Sequence, residues 1–141
     1  MATSTIRIMM TAALAGALVL GTSACSSNIN NDLLAEIDAS NGHNVRLDAV
    51  VEGDWDSFLV VCPYDSPGVN ERLGFEWNAA PDTNAQDAFQ TIVFVENDRV
   101  VSTTSLRFDD INLCTGVWPL MSRDTELQFA KPAKHVWHAI V

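Results

Sequence analysis

The chain has 141 residues, with eighteen Asp and Glu against eight Lys and Arg and a net charge of −10. That length allows a targeting segment and one domain with a real core but not two domains. The charge repels nucleic-acid phosphates and anionic lipid head groups alike, which excludes nucleic-acid binding as the expected function. Acidity of this kind is first of all a means of staying soluble.

Met1 to Arg7 is a short n-region whose positive charge comes from Arg7 and the amino terminus. Ile8 to Gly21 is apolar apart from Thr11. A run of that length suits a signal-peptide core and falls short of the roughly 20 residues that span a bilayer. Gly21-Thr22-Ser23-Ala24 then supplies small residues for cleavage. Thr22-Ser23-Ala24-Cys25 resembles a lipobox, the bacterial lipoprotein signal that ends in the cysteine to be lipidated. Ser23 and Ala24 fit that pattern, and Thr22 stands where it prefers leucine. The same residues satisfy the small-x-small rule of ordinary secretion, and an uncleaved membrane anchor is a third option. The position of Cys25 directly after a small residue, with Ser26-Ser27-Asn28 following as a polar tether, favours lipidation.

Cysteine parity points the same way. An exported chain with Cys25, Cys62 and Cys114 leaves one thiol over. Lipidating Cys25 removes the odd one and leaves Cys62 and Cys114 to pair in an oxidising compartment. The alternative is two free buried thiols. The expected organisation is a signal peptide over 1–24, a tether over 25–31 and a single domain over 32–141. Removing the first 24 of 141 residues leaves 117. Arg7 goes with them, so seven basic residues face eighteen acids at a net charge of −11.

Within the domain, Asp32 to Ile37 forms one or two helical turns with Asp32 as N-cap. Ser40-Asn41-Gly42-His43-Asn44 breaks it. Val45 to Val51 fits a strand or a short helix capped by Asp48, and periodicity does not choose between them. Ser57 to Cys62 is a continuous apolar run, as in a strand covered on both faces, and Pro63 stops it. Ser66 before Pro67 predicts a helix from Ser66 to Leu73, with Gly74 as its left-handed cap. Phe75 to Trp77 is a short strand or an extended loop, and Asn78 to Asp87 is a surface loop. Gln90 to Glu96 and Arg99 to Arg107 form a hairpin about Asn97-Asp98. Phe108 to Met121 is irregular, and Glu126 to Phe129 and His135 to Val141 are extended. The expected fold class is α+β, a small antiparallel sheet of about four strands with one or two short helices on one face. A Cys62–Cys114 bridge closing about 50 residues contributes on the order of 4 kcal/mol in chain-entropy terms.

Trp55-Asp56 before an apolar strand, Pro63-Tyr64, a short helix ending at Leu73-Gly74, and Trp77 form a recurrent block. A strand over Ile92 to Val95, a turn and the pair Val100-Val101 complete it. Together, over residues 45 to 107, they resemble small uncharacterised lipoproteins and exported proteins of Gram-positive bacteria. The resemblance implies an envelope lipoprotein and brings no activity with it. Cys62 stands where that pattern more often has another residue, so the disulfide is not implied by it.

Several constellations bear on chemistry. His135 and His138 have a spacing that ligates zinc on a helix, but an extended segment points them to opposite faces. A third ligand is not evident, although Asp109 or Asp110 can approach in space. Glu52, Asp54 and Asp56 alternate, so an extended segment places their carboxylates on one side, yet the remaining ligands of a calcium loop are not visible. Hydrolase elbows, phosphate loops and the H-E-x-x-H motif are missing. No metal, cofactor or catalytic residue is therefore assigned. Among the aromatics, Trp118 in Val117-Trp118-Pro119-Leu120 and Tyr64 are the candidates for an exposed binding surface. The expected function is a non-catalytic binding or accessory module, lipid-anchored on the outer face of the bacterial cell membrane, with an envelope protein or cell-wall component as partner. The alternatives are a secreted protein, a small envelope hydrolase or metal-dependent enzyme, and an inhibitor or immunity-like protein.

Overall fold

A computed structural model describes residues 28–65, 68–80, 87–131 and 135–141. The signal segment, Cys25, Ser66-Pro67 at the expected helix start and most of the loop before Asp87 lie outside them.

The first helix, α1, spans Ile29–Ala39 and begins before the expected Asp32 cap. Ile29, Leu33 and Ile37 recur every fourth residue, so the apolar stripe runs one turn further back than Leu33. Asp32 thus sits in the first turn, where a negative charge is favoured by the positive end of the helix dipole. The Asn28 carbonyl accepts from the Asn31 and Asp32 N–H groups. At the other end the Ser40 hydroxyl donates to the Glu36 carbonyl at 2.9 Å, and the Gly42 N–H donates to the Ile37 carbonyl at 2.8 Å. Asn41, Gly42 and Asn44 all take positive φ, so the expected break is a tight left-handed turn. Val45 then bridges to Leu127, and Leu47–Ala49 makes a single 3-10 turn, so the ambiguous segment has both characters.

Strand β1, Ser57–Val61, pairs antiparallel with β2, Phe89–Glu96, which pairs antiparallel with β3, Arg99–Arg107. Asn97 (φ 50°) and Asp98 (φ 57°) both occupy the left-handed region demanded by a two-residue hairpin turn of matching twist. Phe94 pairs with Ser102 and Val95 with Val100, which leaves Val101 as the extra residue of a bulge. The helix α2 covers Val69–Leu73, packs beside β1 and ends on Gly74 in the left-handed conformation (φ 79°) as expected. Phe75 to Trp77 is loop.

Two-residue strands β4 (Ile111–Asn112) and β5 (Met121–Ser122) interrupt the segment expected to be irregular. Such pieces are too short to leave a periodic signal. β6 (Gln128–Ala130) and β7 (Trp137–Ile140) follow. The fold is α+β. One antiparallel sheet has the order β3-β2-β1-β5, and a second, smaller sheet has the order β4-β7-β6 with β4 parallel to β7. β1 and β2 are buried on both faces, from Phe58 to Val61 and from Ile92 to Val95. The Trp55 ring meets Phe94 at 5.0 Å and Phe58 edge-on at 6.3 Å.

The two sheets are joined through a buried side chain. Gln90, fully buried, donates from Nε2 to the Ile111 carbonyl at 2.6 Å and accepts at Oε1 from the Leu113 N–H at 2.7 Å. Cys62 and Cys114 form the anticipated disulfide, Cα to Cα 5.7 Å, which ties the end of β1 to the segment after β4.

Candidate functional site

Trp118 is not the exposed aromatic that its loop position suggested. Its ring is 2% exposed, and its Nε1 donates to the Leu113 carbonyl at 2.6 Å. The loop folds inward after the disulfide, so the large apolar ring fills the core while Val117 beside it stands 71% exposed. Tyr64 is exposed and lies at φ 67°. Its hydroxyl donates to Asp87 Oδ1 at 2.5 Å, and that bond, reinforced by the carboxylate's charge, pushes the phenol pKa up. Trp55 and Trp137 are buried and Trp77 is half-buried, so the tryptophans make no exposed platform.

The histidines and acids named from the sequence stand apart. His135 precedes β7 at φ 66°, and His138 lies within β7 opposite Ala130 and Asn112. Asp109 is bound by Arg107 at 2.7 Å, while the Asp110 backbone carbonyl accepts from the Trp137 N–H. Among the described residues no group of three or more His, Cys, Asp and Glu converges as a metal site would require.

Glu52, Asp54 and Asp56 do not alternate along one extended face as expected. Gly53 at φ 109° turns the chain between the first two. Asp56 accepts from the Ser57 hydroxyl at 2.6 Å and from the Asn97 N–H at 2.9 Å, fastening the hairpin turn to the start of β1. Both bonds, the serine's first, hold its pKa below the usual carboxylate range.

A groove of about 700 Å³ lies between α1, the segment 49–52 and β3. Asp32 and Glu36 line it from the helix, Glu52 from the segment after the 3-10 turn, and Ser102, Thr103 and Thr104 from the strand. Val51 and Phe94 supply apolar floor. Among the described residues no Lys or Arg side chain is part of the lining. Asp32 and Glu36 are four apart, which puts both carboxylates on one helical face. That spacing is visible in the sequence, but acids on a helix usually just face water, so by itself it marks no site.

Three arginines hold the walls of the molecule, and nothing in the sequence marked them. Arg72 of α2 donates to the Trp118 carbonyl at 3.1 Å and to Asp65 at 3.0 Å, with the Val60 carbonyl at 3.4 Å. Arg123 lies 4.5 Å over the Trp55 ring and donates to the Gly53 and Trp55 carbonyls, both at 2.9 Å. Arg46 clasps Asp48 through two hydrogen bonds, which lower the pKa of that carboxyl.

In comparisons with known proteins, no family model, no curated protein and no solved structure matches the chain.

Proposed function

We propose that the chain is an exported lipoprotein, anchored by lipid on Cys25 to the outer face of a bacterial cell membrane. Its domain works there as a non-catalytic binding module that presents the α1–β3 groove to an envelope partner. The observation that carries this reading is the Cys62–Cys114 disulfide. A disulfide persists in an oxidising compartment, and this one pairs two of three cysteines, leaving the odd one directly after Ala24 at the end of the apolar run. Binding without catalysis is supported by the groove's polar inventory of carboxylates and hydroxyls. The histidines, the residues best suited to proton transfer near neutral pH, lie outside that lining.

Fractionation of cells producing the wild type and Cys25→Ser tests the anchor. The wild type is expected in the membrane fraction with lipid on Cys25, and the variant without lipid. A membrane-held wild type that carries no lipid points to an uncleaved apolar anchor, and a wild type found in the medium points to ordinary secretion. Either result overturns the lipid tether.

A further inference from the structure

We infer that the groove takes an extended, basic peptide segment of a partner, which adds to the sheet as a further strand along β3. The inference rests on the reading that this groove is the binding face, and is independent of the anchor.

β3 ends the order β3-β2-β1-β5, and among the described residues no strand pairs with its outer side. An edge strand leaves alternate N–H and C=O groups without partners, a template for another extended chain. The other edge of that sheet, β5, has two residues, whereas β3 has nine. Beyond the bulge at Val101, Ser102 to Arg107 keeps an unbroken register with β2. At about 3.3 Å per residue this stretch offers roughly 20 Å of regular edge. Its first four side chains, Ser102, Thr103, Thr104 and Ser105, are too small to bar an approaching backbone. Leu106 after them is buried, and the exposed Arg107 is held by Asp109 at 2.7 Å.

Charge decides the occupant. α1 runs beside β3, and Asp32, Glu36 and Glu52 face the space between them, with no basic side chain in the lining among the described residues. An incoming strand with Lys or Arg at alternate positions places those cations on the carboxylate side while its backbone meets β3. A second copy of this chain fits poorly. Antiparallel pairing of β3 with itself about Thr103 sets Arg99 opposite Arg107 and brings together two chains of net charge −10.

The test uses the whole mature protein, extracted in detergent, with three capped peptides: Lys-Val-Lys-Val-Lys-Val-Lys, its Glu-for-Lys counterpart, and the lysine peptide with its central Val replaced by Pro. The lysine peptide is expected to bind and to slow amide exchange of Ser102 to Arg107, and the glutamate peptide is not. The proline peptide, which lacks one N–H and cannot continue a ladder, is expected to bind at least about tenfold more weakly. Asp32→Asn with Glu36→Gln, both on the solvated side of α1, should weaken the lysine peptide about tenfold, as the loss of two surface charge contacts implies. Equal binding of the proline peptide, or binding without slowed exchange in β3, overturns strand addition and leaves the groove as a charged binding face. Lysine-peptide binding unchanged by the double substitution moves the binding face elsewhere, and the groove reading falls with it. No binding of the lysine peptide overturns the inference outright.

Discussion

At Gly42 and Gly74 the backbone makes the same demand, φ 77° and φ 79°, while the surroundings differ. A Cβ on Gly42 meets the Phe129 carbonyl oxygen at 2.6 Å and Trp137 Cζ3 at 2.8 Å, whereas one on Gly74 meets nothing within 4 Å. Gly74→Ala is expected to lose only the left-handed preference, about 1 kcal/mol. Gly42→Ala also pushes α1 away from the second sheet and should lose about 3 kcal/mol. Urea unfolding of both variants checks this, and equal losses would mean that the packing around Gly42 yields. Tyr64 is the single tyrosine, so an ultraviolet titration reports it alone. Its phenol, raised by Asp87, should ionise above the ordinary value near 10. The folded state holds that proton more tightly than the unfolded chain, so any stability it adds is present below the ordinary value and is lost as pH rises through the raised one. Asp87→Asn should bring the midpoint back, and a wild-type midpoint at the ordinary value would show that the bond does not persist. Gly74 was readable because a glycine after an amphipathic turn has one common use. The burial of Trp118 was not, since a loop assignment says nothing about which way the loop folds.

Local pattern specified the elements where a run was long enough. The apolar run of β1, the hairpin about Asn97-Asp98 and the end of α2 follow from it directly. α1 starts earlier than an Asp32 cap implies, because the stripe that decides the boundary starts at Ile29. The second sheet was hidden for a different reason. Its strands have two to four residues, and β4 pairs in parallel with β7 across 26 positions, from Ile111 to Trp137. No local signal records such a pairing. The groove leaves no local signal either, since it arises where α1, the 49–52 segment and β3 meet from three parts of the chain. Gln90 is the test of how firmly the two sheets are joined. Gln90→Leu keeps the shape but strips the Leu113 N–H and the Ile111 carbonyl of their partner in a buried site. The expected loss is about 2–4 kcal/mol by denaturant unfolding. A loss below about 1 kcal/mol would show that water reaches those groups.

Over the whole molecule, the Cys62–Cys114 bridge spans 52 positions and links the first sheet to the segment that leaves β4 of the second. In chain-entropy terms it adds about 4 kcal/mol, a large part of the stability of a domain this size. Reduction, or Cys62→Ala with Cys114→Ala, should lower the denaturation midpoint accordingly, and an unchanged midpoint would make the bridge incidental. The fold class and the disulfide were legible in the strand pattern and the cysteine parity. The groove was only half legible, because Asp32 and Glu36 show their shared helical face in the sequence but not the strand they face. The proposed role joins these features: an oxidised, acidic domain whose odd cysteine lies at the end of an apolar leader. It is tested most directly by the intact mass of the protein extracted from membranes, before and after reduction. The account predicts a chain that begins at Cys25, carries lipid on that residue and gains two hydrogens on reduction. An unmodified chain recovered from the medium, or a mass that reduction leaves unchanged, would contradict it.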